Sequence, residues 1–415
     1  MMGMWSYIRK FGLEYSDLPT ILWNVSVFMK VLTLNIYGTK KTDIPLIFYI
    51  IVAASLVSYF YVYLGCMVWF VFVRCLETGD TVAAAVVLSL GVPSSIGVLK
   101  LLYMFVHIDK IRGLTDAFLE YDASMHPGSE RANKIMKYMR DVKKRAIFYW
   151  AIVMGNGVIY SFIPLLRPGR HMPEDLMVIY GLEPMFESPN YEIAWLLMLV
   201  SINAICYISS NITAYFIVII GYVETQMLVL SDDVIQIWTN AKAHYETVDQ
   251  KFDNFLTEYA RRNRIMNDYV RKNLKEIMKR HATIKILLNQ VRNVSKVPIA
   301  VGLILLIVGL ITELLGGLEN TILLIPFAFI QVGIDCYIGQ KVMDAGVVFE
   351  QAVYDCQWEN FDKDNMKTVL VMLQVAQKPT AISAGGFTTM NFRCLMAAMR
   401  ATFSAFTTFR SVMKS

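Results

Sequence analysis

The chain has 415 residues, 56% of them apolar and 18% charged, with a net charge of +5 and a mean hydropathy of +0.45. Soluble domains average about 45–50% apolar and about 25% charged residues, so this balance excludes a disordered chain, a collagen-like fibre and a small disulfide scaffold. Several stretches approach the roughly 20 apolar residues that a membrane-crossing helix needs. The sequence therefore reads as an all-α, multi-pass membrane protein.

In chain order, residues 1–43 form an N-terminal segment expected in the cytosol. The first 30 residues hold no apolar core with a small-residue cleavage site, so no cleaved secretory signal is expected. Within this segment 19–37 carries Asn24, Lys30 and Asn35 in helical register and reads as an amphipathic helix at the membrane interface. Seven spans are predicted, at 44–73, 81–106, 146–166, 193–222, 297–315, 321–340 and within 368–413. The chain thus divides into spans one to four (44–222), a cytosolic helical extension (223–296), spans five and six (297–340), a cytosolic anchor (341–378) and a last membrane helix (379–415).

Between residues 222 and 297 there is neither glycine nor proline, which predicts long helix continuing out of the membrane. Phe252, Phe255, Tyr259, Met266, Tyr269, Leu274, Ile277, Ile284, Leu288 and Val291 draw one apolar stripe, opposite Arg261, Arg264, Arg271, Lys275 and Lys279. The stripe fits a hairpin packed on itself or a subunit interface. Amphipathic stretches at 109–145 and 349–367 add apolar faces that one chain has little else to cover, which favours an oligomer.

Orientation follows from Lys and Arg. The predicted inner face carries 31 of them and the outer face five, with Lys100, Arg393 and Arg400 inside spans. The N-terminus is then cytosolic and, after seven spans, the C-terminus extracellular. That inversion argues against a G-protein-coupled receptor, as does the absence of Asp-Arg-Tyr and Asn-Pro-x-x-Tyr signatures. Cys66, Cys206, Cys336 and Cys394 lie in apolar segments, and Cys75 and Cys356 are expected in loops on opposite sides, so no disulfide is expected. The three Asn-x-Ser/Thr sites, at Asn24, Asn211 and Asn293, are not expected to be glycosylated, since each lies inside or in a span. The positive charge suits anionic lipid and not nucleic acid.

No enzymatic constellation is present. The five histidines are scattered, with His281 read as a solvated side chain, and no metal-binding, dinucleotide or phosphate-loop motif stands in a usable context. No cofactor is expected. Lys100 reads as a lysine snorkelling from the inner end of span two, while Glu313 and Asp335 fall at the outer end of span five and within span six. Arg393 and Arg400, seven apart, share one face of span seven and point to protein or water.

Small and helix-loosening residues mark spans two to four: Gly91, Pro93, Ser94 and Ser95; Gly155, Asn156 and Gly157; Ser201 and Asn203. These fit either close helix packing or an apolar ligand pocket with a few polar groups. If a pocket, spans two, three, four and six would converge in the outer half on Leu88, Ser89, Gly157, Tyr160, Ser161, Met198, Ser201, Ile202, Ile205 and Phe327.

The last sixty residues carry a more specific pattern. Tyr354-Asp355-Cys356-Gln357-Trp358 precedes a short helix ending Ala376-Gln377-Lys378-Pro379; then come Ala384-Gly385-Gly386-Phe387 and the terminal Ser404-Ala405-Phe406-Thr407-Thr408-Phe409-Arg410. This resembles the C-terminal signature of insect odorant receptors, the inverted seven-span ligand-gated cation channels. The resemblance implies a plasma-membrane receptor of olfactory neurons that binds small volatile molecules. It also implies a tetramer with a shared co-receptor, contact with membrane lipid and gating without a G protein. The moderate fourth-to-fifth loop resembles an odour-tuning subunit and not the co-receptor. By the same resemblance span seven splits into cytosolic and pore-lining halves, with hydrophobic gate positions at Thr408 and Val412 and a polar one at Ser411. Thr408 departs from the family pattern, and its hydroxyl weakens a dewetted seal in four copies. Arg410 beside it would discourage cations if repeated fourfold. A gustatory-type receptor shares the architecture, but its terminal Thr-Tyr…Gln-Phe run is missing; a secondary transporter is disfavoured by the absence of an internal repeat.

The charge asymmetry makes a direct prediction. An epitope tag at residue 1 is detected only after permeabilisation, and one placed after Ser415 on intact cells; the reverse pattern overturns the inverted orientation.

Overall fold

In a computed structural model the described residues are 7–37, 44–125, 128–248, 255–322 and 324–414. They form helices in the order α1 (Leu18–Val31), α2 (Leu46–Thr78), α3 (Thr81–Val106), α4 (Ile108–Ala123), α5 (Glu130–Phe162), α6 (Asn190–Ile235) and α7 (Ile237–Val248), followed by α8 (Phe255–Gly316), α9 (Leu318–Thr321), α10 (Ile325–Tyr354), α11 (Lys363–Ala376) and α12 (Phe392–Lys414). Strands β1 (Ser383–Ala384) and β2 (Thr388–Thr389) pair antiparallel between α11 and α12. Helix starts follow side-chain caps: Asp17 on the N–H of Thr20, Asp80 on Ala83, Ser129 on Ala132 and Asp362 on Asn365. Gly79, at φ 73°, closes α2 and opens the short turn into α3.

Among the described residues five helices are long and apolar enough to cross a membrane: α2, α3, α5, α6 and α8. Helices also stand at the sixth and seventh predicted spans. At about 1.5 Å per residue, α10 and α12 have the length to cross. They are more polar, carrying Gln331, Asp335 and Gln340 on α10 and Arg393, Arg400 and Arg410 on α12. The remaining differences from expectation are in length. Several membrane helices run past the predicted ends: α5 begins sixteen residues before its predicted span, α6 ends thirteen after it, and α8 passes through Pro298 unbroken. Apolar runs locate where a helix crosses, but not where its amphipathic continuation stops.

α6 is the post around which the others stand. Every residue from Ile208 to Met227 is buried, and α1, α2, α3, α5, α8 and α10 all pack on it. Its polar residues bond locally: Asn211 Nδ2 donates to the Tyr207 carbonyl at 2.7 Å and Ser210 Oγ to the same oxygen at 3.1 Å. α1 is clamped to it by Tyr207, whose hydroxyl donates to the Phe28 carbonyl at 3.0 Å. Leu18, Leu22 and Met29 of α1 are buried within the chain.

Three expectations need correction. Lys100 does not snorkel: it is 5% exposed, its Nζ lies 3.8 Å from Asp335 Oδ2 and it donates to Thr213 Oγ1 at 3.4 Å. An acidic residue on α10 and a hydroxyl on α6 outcompete the longer route to water. His281 is not solvated but buried on Phe349, ring centroids 4.4 Å apart. The apolar stripe of α8 needs no second subunit, because Met266, Leu274, Ile277, Ile284, Leu288 and Val291 are buried within one chain, where α7, α10 and α11 pack on α8. Tyr259 alone of the stripe is clearly exposed, Tyr269 is half-buried, and Phe252 and the side chain of Phe255 lie outside the described residues. Cys75, expected in a loop, sits at the start of the last turn of α2; all six cysteines are buried and unpaired.

Part of the positive cluster before span three is likewise used internally. Lys143 Nζ donates to the carbonyls of Lys10, Gly12 and Tyr15 at 3.1, 2.7 and 2.7 Å, and Arg145 pairs with Glu224 at 2.8 Å.

Because Lys100 and Asp335 join α3 to α10 in a buried setting, removing one partner leaves an uncompensated charge, at a cost of about 3–5 kcal/mol. Lys100→Met and Asp335→Leu each lower the detergent melting temperature and surface yield, while the double variant lies closer to wild type. Equal damage from the double and single variants would show that the pair carries no coupled role.

Candidate functional site

A narrow cavity of about 50 Å³ lies between six helices. Its wall is built by Tyr63 of α2; Ser89, Leu90, Pro93 and Ser94 of α3; Asn156, Gly157 and Tyr160 of α5; Ile202, Ile205 and Cys206 of α6; Glu313 of α8; and Leu324 with Phe327 at the start of α10. Periodicity explains the set: Ser89, Leu90, Pro93 and Ser94 share one face of α3, and Ile202, Ile205 and Cys206 one face of α6. Gly157 lets α5 approach α6 closely, since a β-carbon there would meet Cys206 Sγ at 2.7 Å.

Of the predicted pocket residues, Ser89, Gly157, Tyr160, Ile202, Ile205 and Phe327 meet at this cavity, joined by Pro93, Ser94 and Asn156 from the small and helix-loosening set. Leu88, Ser161, Met198 and Ser201 do not. Ser161 Oγ donates to the Gly157 carbonyl at 2.8 Å and accepts from Asn203 Nδ2 at 3.0 Å. Ser201 Oγ faces α2, 2.9 Å from Ser58 Oγ, while Met198 is fully buried and Leu88 packs on the core to the side. Tyr63, Leu90, Cys206 and Leu324 escaped sequence reasoning. Cys206 was recoverable, one turn beyond Ile202; Tyr63 was not, because nothing in span one marks a face that turns inward.

The second candidate region is α12 with the break before it. α11 ends at Ala376, and Pro379 leads into the β1–β2 hairpin. Gly385 and Gly386 take φ of 61° and 86°, a left-handed pair that side chains disfavour. The hairpin is fastened to α8, with Gly385 N–H on the Lys296 carbonyl at 2.9 Å and Arg292 Nη2 on the Ala381 carbonyl at 2.7 Å. The expected division of the last span into two helices is present, separated by a hairpin and not by a simple kink.

α12 buries one face, Cys394, Ala398 and Thr402, where α8 and α10 pack on it. At 100° per residue, Arg393, Arg400, Ser404 and Ser411 fall away from that face and Thr408 falls at its edge, and all five are exposed in the single chain. Thr408 Oγ1 donates to the Ser404 carbonyl at 2.9 Å and Ser411 Oγ to the Thr408 carbonyl at 2.7 Å. The backbone at Val412 is helical, but its side chain lies outside the described residues. Among the described residues no cluster of His, Cys, Asp or Glu is arranged to hold a metal.

Over the cavity, the loop 167–189 is tied to α2 by an Arg74–Glu183 pair at 3.1 Å and by the Tyr61 hydroxyl on the Tyr180 carbonyl. Behind the cavity wall Glu174, 8% exposed, accepts from the Tyr160 hydroxyl at 3.5 Å and from the Leu176 N–H at 3.2 Å. Burial pushes its carboxyl up from 4.5 to about 7, against the opposing pull of those two donors. An acid raised in the folded state stabilises the loop fully below its ordinary value and loses that stabilisation as pH climbs through about 7. Proteolytic cleavage within 167–189 is therefore faster at pH 8 than at pH 5.5 relative to Glu174→Gln, which removes the dependence. An identical ratio at both pH values would contradict this.

The profile of the 7tm odorant receptor family matches residues 80–403. Odorant receptor 30a of Drosophila melanogaster is 39% identical over 61 residues, covering 15% of this chain and only 16% of that relative. In three dimensions the fold matches the insect olfactory receptor OR5 from Machilis hrabei, alone and in complex with eugenol, with a TM-score of 0.70 in each case. The identity is 12%, over 95% of this chain and 98% of the other. With the family profile spanning more than three quarters of the sequence and the fold agreeing end to end, the chain belongs to the insect odorant receptor family: a membrane receptor and not an enzyme.

Proposed function

We propose that the chain is the odour-tuning subunit of a heteromeric, non-selective cation channel in the plasma membrane. It crosses the membrane seven times with its N-terminus in the cytosol, and a co-receptor completes a tetramer. The observation that carries this reading is the mainly apolar cavity, enclosed by six helices, two of which also hold the terminal helix. α8 contributes Glu313 to the cavity and packs on both the hairpin and α12; α10 contributes Phe327 and contacts α12, where Gln340 Oε1 accepts from the Phe392 N–H at 3.3 Å. A ligand that shifts α8 or α10 therefore acts on α12 without a further intermediary. That OR5 from Machilis hrabei is found with eugenol supports a small, largely apolar ligand with a polar group.

In this reading α12 lines the pore through Thr408, Ser411 and Val412. Its exposed polar residues suit a water-filled path, and its large exposed apolar residues, Phe392, Met396, Phe403 and Phe409, suit lipid or a neighbouring subunit. Four copies of Thr408 make a poor dewetted gate, so the co-receptor supplies most of the seal.

Current recording across an odour panel tests both halves. The chain alone gives little odour-evoked current, and with a co-receptor it conducts Na⁺, K⁺ and some Ca²⁺. Gly157→Leu, which overpacks the cavity at a cost of about 1–3 kcal/mol, changes ligand rank order at normal surface expression, whereas Thr408→Val alters permeation and leaves rank order intact. Large currents without a partner would refute the heteromer; an unchanged rank order in Gly157→Leu would refute the cavity.

A further inference from the structure

Glu313 is the one carboxyl group on the cavity wall, and the residue is 1% exposed. Its Oε2 has no hydrogen-bond partner, and among the described residues Glu313 joins no ion pair. Among the described residues no lysine, arginine or histidine lines the cavity. Leaving a buried carboxyl oxygen unsatisfied is costly, and an apolar residue of similar size would fill the position without that cost.

The neighbouring hydroxyls do not relieve it. Ser89 Oγ donates to the Val86 carbonyl at 2.6 Å, Ser94 Oγ to the Gly91 carbonyl at 2.8 Å, and the Tyr160 hydroxyl to Glu174 at 3.5 Å. Each has its proton committed and offers the cavity only lone pairs. Glu313 stands in the last turn of α8, on a three-carbon side chain flexible enough to present its free oxygen inward. The Tyr63 hydroxyl and the Asn156 amide are further donors on the wall, yet Glu313 Oε2 bonds to neither.

We propose that the ligand carries a hydrogen-bond donor, a hydroxyl or an amine on a small apolar body, and that Glu313 is the group that receives it. Esters, ethers and hydrocarbons of the same shape fill the cavity but leave the carboxyl unsatisfied, so they act as weaker ligands. The inference rests on the proposed ligand role of the cavity. It makes Glu313 a determinant of ligand class, where the apolar wall and Gly157 determine ligand size.

The test uses matched sets with one carbon skeleton (an alcohol, its methyl ether and the primary amine) on the heteromer with a co-receptor, reading the half-maximal concentration for current. In wild type the alcohol and amine are more potent than the ether by about tenfold to a hundredfold, as expected when the ether leaves a buried acceptor unsatisfied. Glu313→Leu brings alcohol and ether together. Glu313→Gln, which keeps an acceptor of the same shape and guards against a folding failure of the leucine variant, retains the alcohol preference and loses that for the amine. Equal potency of alcohol and ether in wild type, while Gly157→Leu still shifts both, overturns the donor inference and leaves the cavity reading standing. A donor preference that survives both Glu313 substitutions overturns the assignment to Glu313. If Gly157→Leu shifts none of the three ligands, the cavity reading fails and this inference falls with it.

Discussion

The burial of α6 on all sides from Ile208 to Met227 is the constraint from which the rest of the structure follows. In hydrocarbon every backbone polar group must be satisfied within its own segment, which leaves helices as the working element. A helix apolar on every face must then be enclosed by other helices or by lipid. Here helices enclose its middle: α1, α2, α3, α5, α8 and α10 pack on it, Ser210 and Asn211 bond to its own turns, and Ser201 reaches Ser58 of α2. The Lys100–Asp335 pair, with Thr213 beside it, ties two of those neighbours across the same post.

The cavity is a local consequence of how closely those helices can approach α6. Gly157 brings α5 to within contact of Cys206, while on the other side Pro93 of α3 faces the glycine at 309 on α8, whose added β-carbon would meet it at 2.4 Å. Close contact at these points and bulkier side chains around them leave an unfilled volume between. Because α8 and α10 bound that volume and also carry α12, ligand contact and the terminal helix share two rigid elements. In the proposed reading, coupling between them travels through displacement of these two helices.

Much of this was legible in the sequence, for particular reasons. The helical class and the helix positions followed from apolar runs, and the division before α12 from Pro379 and the Gly385-Gly386 pair. Six of the predicted pocket residues reach the cavity, four of them small or aromatic and two, Ile202 and Ile205, aliphatic neighbours at helical spacing. What was not legible depended on partners distant in sequence. Lys100 read as snorkelling because Asp335, 235 positions later, has no local signature that pairs it with a lysine. The α8 stripe suggested a second subunit because sequence periodicity shows that a face is apolar without showing what covers it. Ser161 and Ser201 have the right character for a pocket, yet rotation about the helix axis turns them to Asn203 and Ser58. Residue type was a good guide to what a position could do, and a poor one to which of two adjacent faces it occupied.

The measurement that bears most directly on the account is electron cryomicroscopy of the heteromer with and without a saturating ligand. The account predicts ligand density bounded by Gly157, Cys206 and Phe327, accompanied by displacement of α8 or α10 and of the outer end of α12. Density at another site in the chain, or an open pore with this cavity unchanged and empty, would contradict it.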